Sequence, residues 1–456
     1  MELKYSAHIY IVSLLLLLCL SCNLFRKPDN IIVSDKFKEI SDDSLLSLVQ
    51  YQTILYFTEG AEPTSGMARE RIHMDGIYPE NDMNVVTTGG SGFGIMAIIA
   101  GMERGFIPRN RGINQLKKIV DFLKKADRFH GAFPHWLYGE TGKVKPFSEK
   151  DNGADIVETA YLMQGLLAAR QYLSNGNAEE QELAATMDTL WREVEWDWFT
   201  KGGENVIYWH WSPEFQWEMN HQVRGYNECL ILYILAASSP THPVQASVYH
   251  EGWARGGAIN TVSGHYGYSL SLRHNGAEEY GGPLFWAHYS YLGLDPRNLK
   301  DRYANYWQEN VNHTLINWKW CTENPGKHVG YSEACWGLTA SYSPSGYFAH
   351  RPGDKTDLGV ISPTAALSSI PYTPDKSIAA LRYFYYNLGT RIWGKYGFYD
   401  AFSLEKEWFP QRYLAIDQGP VPVMIENYRS GLLWSLFMSC PEIITGLNKL
   451  DFETGY

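Results

Sequence analysis

Three carboxylates crowd one short stretch, Asp151-Asn152-Gly153-Ala154-Asp155-Ile156-Val157-Glu158. Read as the start of a helix over 153–173, Asp151, Asp155 and Glu158 fall at i, i+4 and i+7, within about 60° of one another at 3.6 residues per turn. The residues that follow, Thr159 to Ala169, are apolar on nearly every side, which marks a helix buried all round. Burying three carboxylates on one stripe is costly unless a polar cleft or a ligand meets them. Two readings stand side by side here. The acids complement a helix N-terminus, with Asp151 as the cap, or they form a wall of an active site.

Other carboxylates take similar positions. Glu228 precedes the apolar run Cys229-Leu230-Ile231-Leu232-Tyr233, and Glu426 opens Glu426-Asn427-Tyr428-Arg429. Hydrolysis of a glycosidic bond needs two carboxyl groups, one protonated to serve the leaving oxygen and one to act as nucleophile or activate water. Asp151, Asp155, Glu158 and Glu228 could supply both, and clustered like charges would raise one pKa. The helix following Glu228 directly argues for burial and makes it the candidate general acid. Asp151 or Asp155 would then activate water, and Glu158 would bind a sugar hydroxyl. Glu228 could instead pair with Arg224 at i−4, and Asp400 and Asp417 could be turn-formers rather than sugar-binding groups.

The segment Tyr208-Trp209-His210-Trp211-Ser212-Pro213-Glu214-Phe215-Gln216-Trp217 offers Trp209, Trp211 and Trp217 as a stacking platform, or as a plug of packed rings. Arg69, beside Glu70 and Arg71, could bind sugar hydroxyls. Gly89-Gly90-Ser91-Gly92-Phe93-Gly94 opens a helix but lacks the Gly-Lys-Ser/Thr ending of a phosphate loop, so helix packing or the close approach of a sugar is the expectation. The 14 His show no ligand spacing; neither metal nor cofactor is expected.

These residues need a scaffold. Helical periodicity predicts helices near 41–59, 90–104, 112–128, 153–173, 178–197, 219–238, 243–254, 282–292, 299–319, 361–369, 375–391 and 426–438, joined by long loops rich in Gly, Trp, Tyr and Pro. Helices apolar all round alternate with helices carrying one charged face, such as 112–128 and 178–197. That alternation predicts two concentric layers, an all-α (α/α)6 toroid in one domain over 41–456. An α-solenoid is the other candidate, but no fixed repeat period is found. In a toroid the inner helices run the same way, so the carboxylates at their heads converge on one mouth.

The 456 residues carry a net charge of −11, which argues against nucleic acid or another polyanion as partner. Sixteen Trp and 31 Tyr exceed the needs of a core and suit a carbohydrate cleft. Lys4 and the apolar run Ile9–Leu20 read as a signal peptide over 1–22, followed by a polar tether over 23–40. Leu18-Cys19-Leu20-Ser21-Cys22 resembles a bacterial lipobox with Cys22 as the lipidated residue, although Cys19 stands where Leu is usual. The expectation is a periplasmic or outer-membrane lipoprotein of a Gram-negative bacterium, monomeric and held to the membrane by its lipid anchor. Cys229, Cys321, Cys335 and Cys440 suggest no disulfide framework, Cys321 with Cys335 being the one pairing to check.

Trp209–Phe215, Pro283–Pro296, Gly359–Leu367, Ile416–Pro420 and Ile425–Arg429 resemble, in order, the signature segments of the bacterial glucoamylase-like family, and more narrowly glycoside hydrolase family 144. The resemblance runs from roughly residue 45 to residue 450. It implies an (α/α)6 barrel and metal-free, inverting hydrolysis of β-1,2-glucosidic bonds, either within β-1,2-glucan or releasing sophorose from a chain end. The family's functional carboxylates match Asp151, Asp155, Glu158 and Glu228. Two rivals remain: another glycosidase on this barrel, acting on α-glucans or unsaturated uronyl groups, and a glycan-binding lipoprotein without turnover. Loops 60–89 and 320–360 are the candidates to block one end of the cleft and so decide endo from exo cutting.

Overall fold

Alternation between wholly buried helices and half-buried ones organises the molecule. The computed structural model describes residues 37–456, so the expected signal peptide, Cys22 and most of the tether lie outside the described residues. Among the described residues are α1 (Asp42–Thr58), α2 (Thr88–Glu103), α3 (Arg109–Leu123), α4 (Ile156–Leu173), α5 (Ala178–Arg192) and α6 (Leu230–Ser238). They continue with α7 (Tyr306–Glu323), α8 (Pro363–Ser368), α9 (Pro374–Arg382), α10 (Pro420–Arg429), α11 (Leu432–Met438) and α12 (Pro441–Lys449), and the first short strands are β1 (Arg71–His73), β2 (Val85–Thr87), β3 (Trp136–Tyr138) and β4 (Val144–Lys145). Thr88–Met102 of α2, Ile156–Arg170 of α4 and all of α6 are buried, whereas α3 and α5 bury one face.

The inner segments, in order, are α2, α4, α6, the 3-10 turns Leu284–Ala287 and Tyr289–Tyr291, α8, and α10. Each is followed by an outer one: α3, α5, the π-helical turn Val248–Trp253, α7, α9, and finally α1, which packs on both α2 and α10 and closes the circle. This is the (α/α)6 toroid that the alternation predicts, with Ser41–Tyr456 as one unit. Each fully buried Leu, Ile or Phe of the inner ring contributes about 1.5–3 kcal/mol through removal from water. Gly92 and Gly165 allow α2 and α4 to touch backbone to backbone: a Cβ on Gly92 would lie 2.2 Å from the Tyr161 carbonyl oxygen, and one on Gly165 2.2 Å from that of Gly92. The glycines at the start of α2 therefore serve helix packing.

The helix boundaries depart from the periodicity where the chain turns into the mouth. The helix expected over 153–173 begins only at Ile156, because β5 (Ala154–Asp155) pairs antiparallel with β6 (His210–Trp211). Residues 219–229 are not helical: Asn220 and Gly225 take φ of 48° and 78°, and Asn227 Oδ1 accepts the Cys229 N–H at 3.0 Å. The expected helix 282–292 is two 3-10 turns parted at His288, and 243–254 keeps only a π-helical turn. The expected helix 426–438 is the end of α10 and all of α11, broken by Gly431 at φ 70°, so Glu426 lies in the last turn of α10 and not at a helix head. The sheets are small, of two or three strands each. No described helix is long and apolar enough to cross a membrane. Cys229, Cys321, Cys335 and Cys440 are free and buried.

Candidate active site

The β5–β6 pairing fixes the head of α4. Asp155 is its N-cap, accepting the N–H groups of Val157 and Glu158 through Oδ1 at 3.0 and 2.9 Å. The same oxygen accepts Trp209 Nε1 at 3.0 Å, and Oδ2 accepts His135 Nδ1 at 2.8 Å. Burial alone would raise its pKa, but the His135 hydrogen bond and charge hold Asp155 below the usual range. His135 in turn resists the pull of burial and is raised to about 9 by the Glu158 charge and the Asp155 contact. Asp151 sits in the loop before β5, its Oδ2 3.5 Å from His210 Nε2 and 3.9 Å from His135 Nδ1; burial and the Asp155 charge push it up to about 7.

This corrects the sequence reading in two respects. The cap is Asp155, not Asp151, and the three acids do not share a helical stripe. Asp151 and Asp155 stand behind His135 and Trp209, off the cleft lining. The charged His135 holds Asp155 below the usual pKa range, which makes it a weak base and argues against the water-activating role expected of it.

The cleft itself, about 370 Å³, is lined by Glu70, Glu158 and Glu228 among aromatic walls that include Trp136, Tyr161, Trp209 and Tyr289. Glu158 Oε2 accepts the Gly89 N–H at 2.8 Å, and a Cβ on Gly89 would lie 2.6 Å from that oxygen, so glycine is required there. Burial, with the Asp155 charge, pushes Glu158 up to about 7 against the pull of His135. Glu228 is half-buried in the turn before α6, its backbone carbonyl held by Ser290 Oγ. Burial raises Glu228 to about 7, helped by the Glu158 and Asp155 charges. Arg224 is turned away to Gln222 and the Glu251 carbonyl, so the alternative pairing is not formed.

Across the ring, Asp400 and Asp417 are buried and hydrogen-bonded to one another. Asp400 Oδ2 also accepts the Tyr342 N–H at 2.8 Å, and Asp417 Oδ1 accepts Tyr289 Oη at 3.2 Å. Asp400 Oδ1 and Asp417 Oδ2 are buried and accept from no other N–H or O–H donor. Burial pushes Asp400 up to about 6 and Asp417 well above the carboxylate range. Tyr289, Tyr342 and Ile416, which surround the pair, all line the cleft.

Other expected site residues lie elsewhere. Arg69 is spent on the carbonyls of Gly60, Ala61 and Met83; its neighbour Arg71, paired with Glu70 and lying over Trp136, reaches the cleft instead. Alternation along β1 (Arg71–His73) and the bridge Arg69↔Val86 decide this, and a run of three charged residues does not reveal it. Glu426 binds Arg104 through both oxygens, with Gln50 and Ser430, and burial is outweighed so that its pKa is lowered; it is no cleft group. Trp209 lines the cleft, whereas Trp211 and Trp217 pack around Trp198. His135, Trp136, Phe147, Tyr161, Phe285, Tyr289, Tyr342 and Tyr347 line the cleft without having been given a site role, since isolated rings in long loops carry no spacing signal and rings on buried helical segments read as core.

A family model described as putative glucoamylase matches residues 220–441. The chain is 64% identical to an endo-β-1,2-glucanase from Chitinophaga pinensis solved with sophorotriose and glucose, at a TM-score of 0.90, covering 91% of this chain and 99% of that one. A solved putative glucoamylase from Bacteroides caccae is 61% identical at a TM-score of 0.89, over 91% and 100% of the two chains. A curated exo-β-1,2-glucooligosaccharide sophorohydrolase (non-reducing end) from Parabacteroides distasonis is 45% identical over 447 residues, 94% of this chain. The chain spans 60% of that relative's length.

Proposed function

This chain belongs to the glucoamylase-like family that includes the β-1,2-glucan-cleaving enzymes, and from that footing we propose that it hydrolyses β-1,2-glucosidic bonds in β-1,2-glucan or its oligosaccharides. The observation that carries the reading is a cleft in which carboxyl groups with raised pKa stand among aromatic walls, at the mouth of a toroid shared with a glucanase of 64% identity. Internal cutting is favoured, because the likeness to the endo-acting relative is higher and spans 99% of that chain, against 60% of the exo-acting one. Incubation with linear β-1,2-glucan and, separately, with maltooligosaccharides tests the proposal. Products of mixed length from the first alone are expected; sophorose alone would point to exo cutting, and turnover only of the α-glucan would reject the substrate.

Glu228 is the general acid. Its raised pKa keeps a proton available near neutrality, and its half-buried position on the cleft lets it reach a leaving oxygen. The general base in this reading is the Asp400–Asp417 pair. α6 and the segment Ala415–Gln418 that leads into α10 belong to the third and sixth inner positions, which oppose one another across a six-membered ring. A pair holding one proton carries one negative charge and can accept a second proton from water or from a sugar hydroxyl. Attack from the face opposite the departing oxygen inverts the anomeric centre. Glu158 and Arg71 bind sugar hydroxyls, and Asp155 with His135 holds the head of α4 in place.

The lipoprotein reading of Cys22 supports an extracytoplasmic site of action on the Gram-negative envelope. Metabolic labelling with a palmitate analogue is expected to mark the intact chain and not Cys22→Ser, and equal labelling of both would discard it. A monomer is expected by light scattering.

A further inference from the structure

Trp211 and Trp217 lie outside the cleft. They surround Trp198, in the 3-10 turn Trp196–Thr200, at ring-centroid distances of 6.3 Å each. Trp198 is 39% exposed, an uncommon state for the largest apolar side chain in a ring cluster. One face of its indole is covered by His130, stacked at 3.7 Å with 11° between the planes, and His130 Nδ1 is held by Glu195 Oε2 at 2.9 Å. Trp211 meets the edge of the same imidazole at 4.9 Å. The indole is thus clamped from one side and open to solvent, so little conformational freedom is left to lose on binding.

We propose that the Trp198–Trp211–Trp217 cluster is a second glucan-binding surface, taking the apolar face of a neutral sugar chain outside the catalytic cleft. Two features choose this occupant. Glu195 and Asp197 flank the indole with side chains 40% and 57% exposed, which disfavours nucleic acid or an anionic membrane. The surface is also continuous with the cleft: Trp209 lines the cleft, and Trp211, two residues on, ends β6 and packs on the cluster. A polymeric substrate extends beyond any cleft of this size, and a second contact on the same chain raises its effective concentration at the first. The identity of the glucan rests on the β-1,2-glucan reading above.

The test is native affinity electrophoresis of the full chain carrying Glu228→Gln, in gels containing linear β-1,2-glucan, laminarin or soluble starch, with and without Trp198→Ala. Trp198→Ala is expected to weaken retardation by about fivefold, one good aromatic contact. In the otherwise unaltered enzyme it should leave turnover of short β-1,2-gluco-oligosaccharides unchanged while raising KM for the long polymer. Trp198→Tyr should restore most of the retardation. Equal retardation with and without Trp198→Ala, in protein that still turns over short substrates, overturns the proposal. Should Trp198→Ala cost short-substrate turnover, the comparison passes to Trp198→Leu, read by the same two outcomes. Retardation by another neutral glucan but not by β-1,2-glucan, lost with Trp198→Ala, would keep the surface and reject the substrate reading instead; no retardation by any of the three rejects the surface.

Discussion

Environment, more than residue type, divides the carboxylates of this mouth into roles. On the proposed assignment, Glu228 at about 7 must be protonated to act, and the Asp400–Asp417 pair, with Asp400 at about 6, must keep a negative charge. The rate on β-1,2-glucan is therefore expected to be bell-shaped in pH, falling below about 6 and above about 7. Replacing His135 by Gln removes the cation that opposes the rise of Glu158, and the profile should change shape while the fold, checked by circular dichroism, persists. Glu228 and Glu158 titrate higher in the folded state than the ordinary 4.5 of a glutamate, so at these two groups the folded protein binds more protons than the unfolded between about 4.5 and about 7. The contribution of these two groups to stability must then fall as pH rises through that window, and the Tm of the parent relative to that of Glu158→Gln should be lower at pH 8 than at pH 5. Asp417→Asn separates the two readings of the base: a loss of about a hundredfold or more in kcat is expected for it, against a smaller loss for Asp151→Asn. The reverse order would return the role to the α4 side. Sequence spacing could single out Glu228 as a cleft carboxyl because an apolar helix follows it immediately. It could not separate Arg69 from Arg71, since which of two neighbouring arginines faces the cleft depends on a β-bridge to a distant residue.

At the scale of elements, the wholly buried helices were legible because nothing else explains fifteen consecutive buried residues such as Thr88–Met102. Their heads were not. β5 and β6 are two residues each, and a pairing that short has no periodicity, yet it moves the start of α4 to Ile156 and turns Asp155 into its cap. Gly89 and Gly92 have a clearer signature, read as helix packing because the phosphate-loop ending is missing. Gly92→Ala would set a methyl group 2.2 Å from the Tyr161 carbonyl oxygen on α4, which has no flexible end to yield. A loss of about 1–3 kcal/mol or more is expected in urea unfolding. Wild-type stability in that variant would mean that α2 and α4 are less closely packed than described here.

The toroid as a whole is closed by polar contacts as well as apolar ones. Glu426 of α10 reaches Arg104 at the end of α2 and Gln50 of α1, tying the last inner helix to the first and to its outer cover. Glu426→Gln is therefore expected to cost about 1–3 kcal/mol of stability, Arg104 being partly solvated, and to leave KM for short oligosaccharides unchanged. A raised KM with unaltered Tm would return Glu426 to the substrate side, where its place in the sequence first put it. The alternation of helices revealed the double ring, and with it the prospect that acids at the heads of separate helices meet; which acids meet depends on position around the ring, and that only the closed structure supplies. On this account Glu228 from the third inner segment and Asp417 from the sixth work on one bond from opposite sides, and Glu228 is the proton donor. The most direct test is the rate at which Glu228→Gln degrades linear β-1,2-glucan, measured on protein whose Tm shows it folded. A fall of about a hundredfold or more is predicted; activity within about tenfold of the parent, too small a loss for a missing general acid, would contradict the account.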